Sequence, residues 1–211
     1  MINMLEKKSD GVQYFILILI GILLIGGIYF FFSEPSIAVQ DNYQYSNGES
    51  TFNVTKVSDT ETHIPMNIGT LSTIIYTLVL RNDPLSLEDI TVEGALNTRI
   101  FGDEEIYVTI NPNAGLTSKT TIAALEIDKT IDNDYLYGVP VHSAMTQENT
   151  QGYPVKSCYD GSDNTTIIWL TLGSETKVYT DEYCIIIVGT DENEIIRAAD
   201  RMLYQLLGIM E

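Results

Sequence analysis

The run from Val12 to Phe32, VQYFILILIGILLIGGIYFFF, holds 21 residues and no charge. As a helix rising 1.5 Å per residue it covers about 30 Å, the thickness of a bilayer's hydrocarbon core. Tyr14 and Tyr29 stand near its two ends, where amphipathic rings settle at the membrane–water interface. Lys7 and Lys8 precede the run, and the next base is Lys56. The positive-inside rule therefore places residues 1–11 in the cytoplasm, residues 12–32 in the lipid and residues 33–211 outside. A cleavable signal peptide has a shorter apolar core, about 7–15 residues, and small residues at its cut. Here Phe30, Phe31 and Phe32 lead into Ser33, Glu34 and Pro35. An uncleaved signal anchor is the expectation.

The glycines of this run, Gly21, Gly26 and Gly27, lack the four-residue offset of the small-xxx-small dimer motif, so passive anchoring is expected. Lys7-Lys8-Ser9-Asp10-Gly11 before Val12 resembles the leader of an archaeal type IV pilin, which would make the chain a filament subunit. It departs from that pattern at Asp10, where such leaders carry a base.

Charge falls on one side of the anchor. Glu6, Lys7, Lys8 and Asp10 cancel, so the whole net charge of −18 lies beyond Phe32. Nucleic acid and anionic lipid surfaces would be repelled, which excludes them as partners. The chain is nevertheless 45% hydrophobic with 13 tyrosines, unlike an acidic disordered chain. After a polar, turn-rich stalk over 33–48, residues 49–211 are long enough for one folded domain with its own core.

Within that domain the apolar pattern alternates between strand and helix periods. Strands are expected at Thr51–Val57, Ile74–Leu80, Ile106–Ile110, Val139–His142, Ile167–Leu172 and Cys184–Val188, with a weak one at Lys177–Tyr179. Ile74–Leu80 is nearly continuous and reads as a strand covered on both faces. It stops at the turn Arg81-Asn82-Asp83-Pro84. Thr117 or Ser118 starts a helix with Ile122, Leu125 and Ile131 along one side, completing a β-α-β unit. A second helix runs from Glu192 to Leu207, capped by Thr190 or Asp191 and stopped by Gly208. The expected fold is α/β or α+β, a mixed sheet with two principal helices behind one transmembrane helix.

The ending CIIIVGTDENEIIRAADRMLYQLLGIM and the segment Leu80–Ile90, LRNDPLSLEDI, resemble membrane-anchored extracytoplasmic (S-layer-like) proteins of small-genome archaea. Strand, Gly-x-Asp turn and amphipathic helix recur both there and in accessory domains of glycosidases. The resemblance implies a cell-envelope location and names no activity.

Cys158 and Cys184 are the only cysteines, and outside the cytoplasm an even pair is expected to form a disulfide. Without a C-x-x-C pair they offer no zinc site. The sequons at Asn53 and Asn164 are glycosylation candidates on the outer side, with Asn164, in a turn, the better one. Asp160 and Asp163, and separately Asp132 and Asp134, lie in oxygen-rich turns that admit calcium as the one cofactor, although neither has EF-hand spacing. Such turns ordinarily use their Asx side chains on the backbone. His63 and His142 have no recognisable partner spacing, and no G-x-S-x-G, H-E-x-x-H or P-loop occurs. The expected function is a non-enzymatic envelope protein, S-layer-associated or a surface interaction module, with membrane lipid and an envelope protein or glycan as partners. The alternative is a glycan-acting enzyme or carbohydrate-binding accessory, which would need Trp169, the sole tryptophan, in a cleft with flanking aromatics and paired carboxylates.

Overall fold

The computed structural model describes residues 14–15, 41–69 and 74–211. Most of the expected transmembrane run, the pilin-like leader and the first part of the stalk therefore lie outside the described residues. Among those described, no helix is long and apolar enough to cross a membrane. The unit from Val39 to Glu211 is α+β with two sheets.

The first sheet is an antiparallel meander in the order β1-β2-β3-β4, built from Asp41–Ser46, Thr51–Ser58, Glu61–Ile68 and Ile74–Leu80. The stalk expectation is corrected at its end: Asp41–Ser46 pairs with β2 along its whole length, from Asp41 opposite Lys56 to Ser46 opposite Thr51. β3 is not legible in the sequence because Pro65 interrupts its pattern. The proline is tolerated because the pairing with β2 runs only as far as His63. β4 is an edge strand, not one covered on both faces. Ile74 and Ile75 are exposed, and Leu78 and Leu80 are buried.

The second sheet has the order β5-β9-β10-β8-β6-β7. Its strands are β5 (Thr91–Glu93), β6 (Glu105–Ile110), β7 (Val141–Met145), β8 (Thr165–Leu172), β9 (Lys177–Asp181) and β10 (Cys184–Gly189). The last four positions, β10, β8, β6 and β7, are mutually parallel, while β9 runs antiparallel to β10. One expected mixed sheet is thus a mixed sheet plus a separate meander. The expected strand at Val139–His142 begins two residues later.

Three helices complete the unit: the single turn α1 (Asn97–Ile100), α2 (Ser118–Ile131) and α3 (Glu192–Leu206). α2 joins β6 to β7 as the expected β-α-β crossover. Its buried side is Thr120, Ala123, Ile127, Thr130 and Ile131; Leu125, expected on one side with Ile122 and Ile131, is exposed. α3 has ten of its 15 residues buried. A helix packed on one side only would bury a stripe, and burial nearly all round marks an element held between layers.

Both ends of α3 are closed locally. Asp191 Oδ1 accepts from the backbone N–H groups of Asn193 and Glu194 at 2.7 and 3.0 Å. Gly208 takes φ +68° beyond the last turn, and Ile209 N donates to Tyr204 O at 2.8 Å, a Schellman closure. Gly189, the last residue of β10, is required by space: a Cβ there would stand 2.3 Å from Ile195 N.

The main core draws on both sheets and both long helices. It includes Val54, Ile64 and Leu78 from the meander, Ile106, Ile168, Ile185 and Ile187 from the second sheet, and Ile127, Ile195 and Leu203 from the helices. Burying each large aliphatic side chain contributes about 1.5–3 kcal/mol.

Polar side chains fix how the layers meet. The turn after β4 is the key: Asn82 N and Nδ2 both donate to Asp200 Oδ2 at 2.8 Å, and Tyr204 OH donates to Asn82 O at 2.7 Å. Arg81 Nε reaches Glu126 Oε1 at 3.5 Å. Glu126 of α2 neighbours the fully buried Asp200 of α3, and Glu126 Oε2 and Asp200 Oδ1 are both shut away from solvent with no donor from any other group. Burial pushes both pKa values up, and the charge of Asp200 pushes Glu126 further. Glu126 therefore carries the shared proton at neutral pH, and Asp200, supported by Asn82, carries the charge.

Candidate functional site

The strand register sorts the side chains of the second sheet onto two faces. Ile106, Val108, Ile168, Leu170, Ile185 and Ile187 point into the main core. Their neighbours point the other way. Tyr179 stands opposite Ile186, Ile186 opposite Trp169, and Trp169 opposite Thr109, forming one row across β9, β10, β8 and β6. A second row runs Asp181, Cys184, Ile167, Tyr107 and His142. This outer face has its own small apolar cluster, in which Ile167, Cys184, Ile186 and Val188 are joined by Tyr107, Cys158, Trp169 and Tyr179.

The outer face is crossed by one strap of chain. Lys156 N donates to Met145 O at 2.8 Å, holding the strap's start to the β7 edge. Thr109 Oγ1 then donates to Lys156 O at 2.8 Å, and Lys156 Nζ sits 4.5 Å above the Tyr107 ring, a cation–π contact. The strap ends in the expected disulfide, Cys158 to Cys184, with the Cα atoms 5.2 Å apart. That covalent bond pins residues 157–159 onto the first residue of β10.

Between strap and sheet lies a groove of about 530 Å³. Trp169, Tyr179 and Ile186 form its floor. Ser157, Cys158 and Tyr159 form the strap wall, and Asp181 borders it at the end of β9. Asn111 enters from the loop after β6, and Thr146 and Gln147 from the loop after β7. Tyr159 is 100% exposed at the rim, an uncommon position for an aromatic ring. The wall is held in place by the Asp160 carboxylate, which accepts from Ser157 N and Oγ at 2.7 and 2.9 Å. Those two bonds keep the Asp160 carboxyl below the usual range. Of the lining residues, Cys158 and Trp169 carried a functional expectation in the sequence. The others come from five separate stretches and have no common motif.

The remaining expected site residues are dispersed. Asp163 accepts from Tyr183 OH at 2.9 Å, and Asp160 accepts from Ser157 in the strap, so each is engaged within the chain. Asp132 closes α2, and Asp134 lies in the turn beyond it. Among the described residues, no three His, Cys, Asp or Glu side chains gather as a metal would require. Asn53 and Asn164 are both exposed, the first on β2 and the second in the turn before β8. His63 pairs with Glu61 at 2.6 Å, and His142 lies 3.7 Å from Glu105, whose Oε2 also accepts from Tyr107 OH at 3.0 Å. Neither histidine lines the groove. Among the described residues, Asp181 is the one carboxylate that does. The carboxyl pair formed by Glu126 of α2 and the buried Asp200 of α3 lies outside the groove.

The groove thus combines aromatic planes, amide and hydroxyl groups and a single acid on a covalently braced frame. It can hold a ligand by stacking and hydrogen bonding. No protein-family model, curated protein or solved structure matches the chain.

Proposed function

We propose that this chain is a non-enzymatic, membrane-anchored cell-envelope protein whose outer domain is a surface interaction module, binding its partner in the strap groove. The observation that carries the reading is the groove's construction: an aromatic floor on the sheet face away from the main core, walled by a strap fastened with a disulfide. A disulfide at that place suits an oxidising compartment, which agrees with the outward orientation expected from Lys7, Lys8 and the apolar run after them. The net charge of −18 suits a solvated outer surface.

A test of the reading uses the full chain in detergent micelles, mixed with washed envelope fragments of the source cells and sedimented. The native chain is expected to pellet with the envelopes, and Tyr159→Ala combined with Gln147→Ala to stay in the supernatant. Both substituted side chains are exposed, so folding should survive. Equal pelleting of native and variant chains would sink the proposal.

A further inference from the structure

Resting on that reading, we infer that the groove's ligand is a neutral glycan of the envelope. The lining matches what a sugar ring offers. Pyranose rings present flat C–H faces, which stack on aromatic planes, and a periphery of hydroxyls that both donate and accept. Trp169 and Tyr179 supply planes in the floor and Tyr159 a free one at the rim. Asn111 and Gln147 bring amides, each with donors and an acceptor, Thr146 and Ser157 bring hydroxyls, and Asp181 brings one strong acceptor.

Charge narrows the class. Among the described residues, no lysine or arginine lines the groove and one carboxylate does, and the chain as a whole carries −18. A uronic-acid, sialylated or phosphorylated glycan would meet repulsion, because Lys177, whose Nζ lies 5.5 Å from the Tyr179 ring centroid, is already paired with Glu175. A basic peptide would be drawn by the general field, yet only Asp181 in the groove would answer it. Neutral sugars need neither. A groove of about 530 Å³ suits a short stretch of saccharide units rather than a folded protein surface.

The site also differs from a glycosidase. Hydrolysis with two carboxylates needs them about 5–10 Å apart across the scissile bond, and Asp181 is alone in the lining. The geometry points to holding a glycan without cleaving it.

Trp169 is the only tryptophan in the chain, so its emission reports on the groove without interference. The experiment divides the washed envelopes into portions treated with periodate, which cleaves vicinal diols, or with protease, and repeats the sedimentation with the full chain. Oligosaccharides released chemically from the same envelopes are titrated against it while Trp169 emission is followed. The inference expects pelleting to be abolished by periodate and to survive protease. It also expects the released neutral fraction to shift Trp169 emission saturably, and Tyr159→Ala to weaken that binding about tenfold, the equivalent of one lost stacking contact. Groove-dependent pelleting that resists periodate and disappears with protease overturns the glycan inference while leaving the interaction module standing. The glycan inference also falls if the released neutral fraction leaves Trp169 emission unchanged. Pelleting indifferent to both Tyr159→Ala and Gln147→Ala overturns both.

Discussion

Replacing Glu126 by Gln should make the protein more stable at neutral pH, because the native side chain holds a proton that the unfolded chain has released. Glu126 lies between Arg81 and Asp200, with 14% of its side chain exposed, so solvent screens the pair little. Burial and the neighbouring Asp200 charge raise its pKa far above the ordinary carboxylate range. The sign follows from linkage. A carboxyl whose folded pKa is raised binds more protons folded than unfolded, so stability falls as pH climbs from the unfolded pKa toward the folded one. Each pH unit in that window costs about 1.4 kcal/mol, so the step from pH 5 to pH 7 costs at most about 3 kcal/mol. A Gln amide keeps a donor toward Asp200 and an acceptor toward Arg81 at every pH. Glu126→Gln should therefore match the native chain near pH 5 and exceed it by about 1–3 kcal/mol at pH 7. Urea unfolding of the full chain in detergent, followed by Trp169 emission at both pH values, measures this. The self-repulsion of a strongly acidic surface acts on both proteins alike and cancels in the difference. A difference that does not change between pH 5 and pH 7 would refute proton sharing between Glu126 and Asp200.

Other perturbations probe the remaining joints. Glu192, the first residue of α3, accepts from the backbone N–H and hydroxyl groups of both Thr117 and Thr120 at 2.8–3.0 Å, closing the start of α2. Desolvation opposes its charge, but these bonds prevail and hold the Glu192 carboxyl down at about 2. Glu192→Ala should cost about 1–2 kcal/mol at neutral pH. That cost should shrink as pH falls from 4.5 toward 2, where the native carboxylate takes up its proton, and denaturation at a series of acidic pH values follows it. Cys158→Ala with Cys184→Ala opens a loop spanning 26 residues and should cost roughly 3–4 kcal/mol on the chain-entropy account. It should also release the strap wall and reduce envelope pelleting. Gly189→Ala forces a methyl group to within 2.3 Å of Ile195 N and should cost at least about 2 kcal/mol, seen as a lower Tm or poor expression.

Much of the element list was legible in the sequence. The strands around Thr51–Val57, Ile106–Ile110, Ile167–Leu172 and Cys184–Val188 are present, and so are the two long helices, the second with its Asp191 cap and Gly208 stop. These are local signals, in which one chain segment carries both the pattern and its punctuation. β1 and β5 are not legible because their apolar content is small, and β3 because Pro65 interrupts its alternation. The apolar run of β4 reads as a central strand, yet it ends up at an edge, since a strand's neighbours are not written in its own residues. Leu125 is exposed where Ala123 and Ile127 are buried, because the packing of α2 is set by what it meets.

By itself the sequence determined an apolar run long enough to span a bilayer, an acidic domain beyond it, a cysteine pair and the periods of most strands and helices. The disulfide follows from that reading and is present. Only the tertiary structure decided that Arg81-Asn82-Asp83, legible as a mere turn, fastens the meander to the helices through Asp200 and Tyr204. Only it placed Trp169 between Ile186 and Thr109, beneath a strap that Cys158 ties to Cys184. The reason is physical. Caps and periodicities act within a few residues, whereas a groove is made by strand register and chain crossing, which bring together positions as far apart as Asn111 and Asp181.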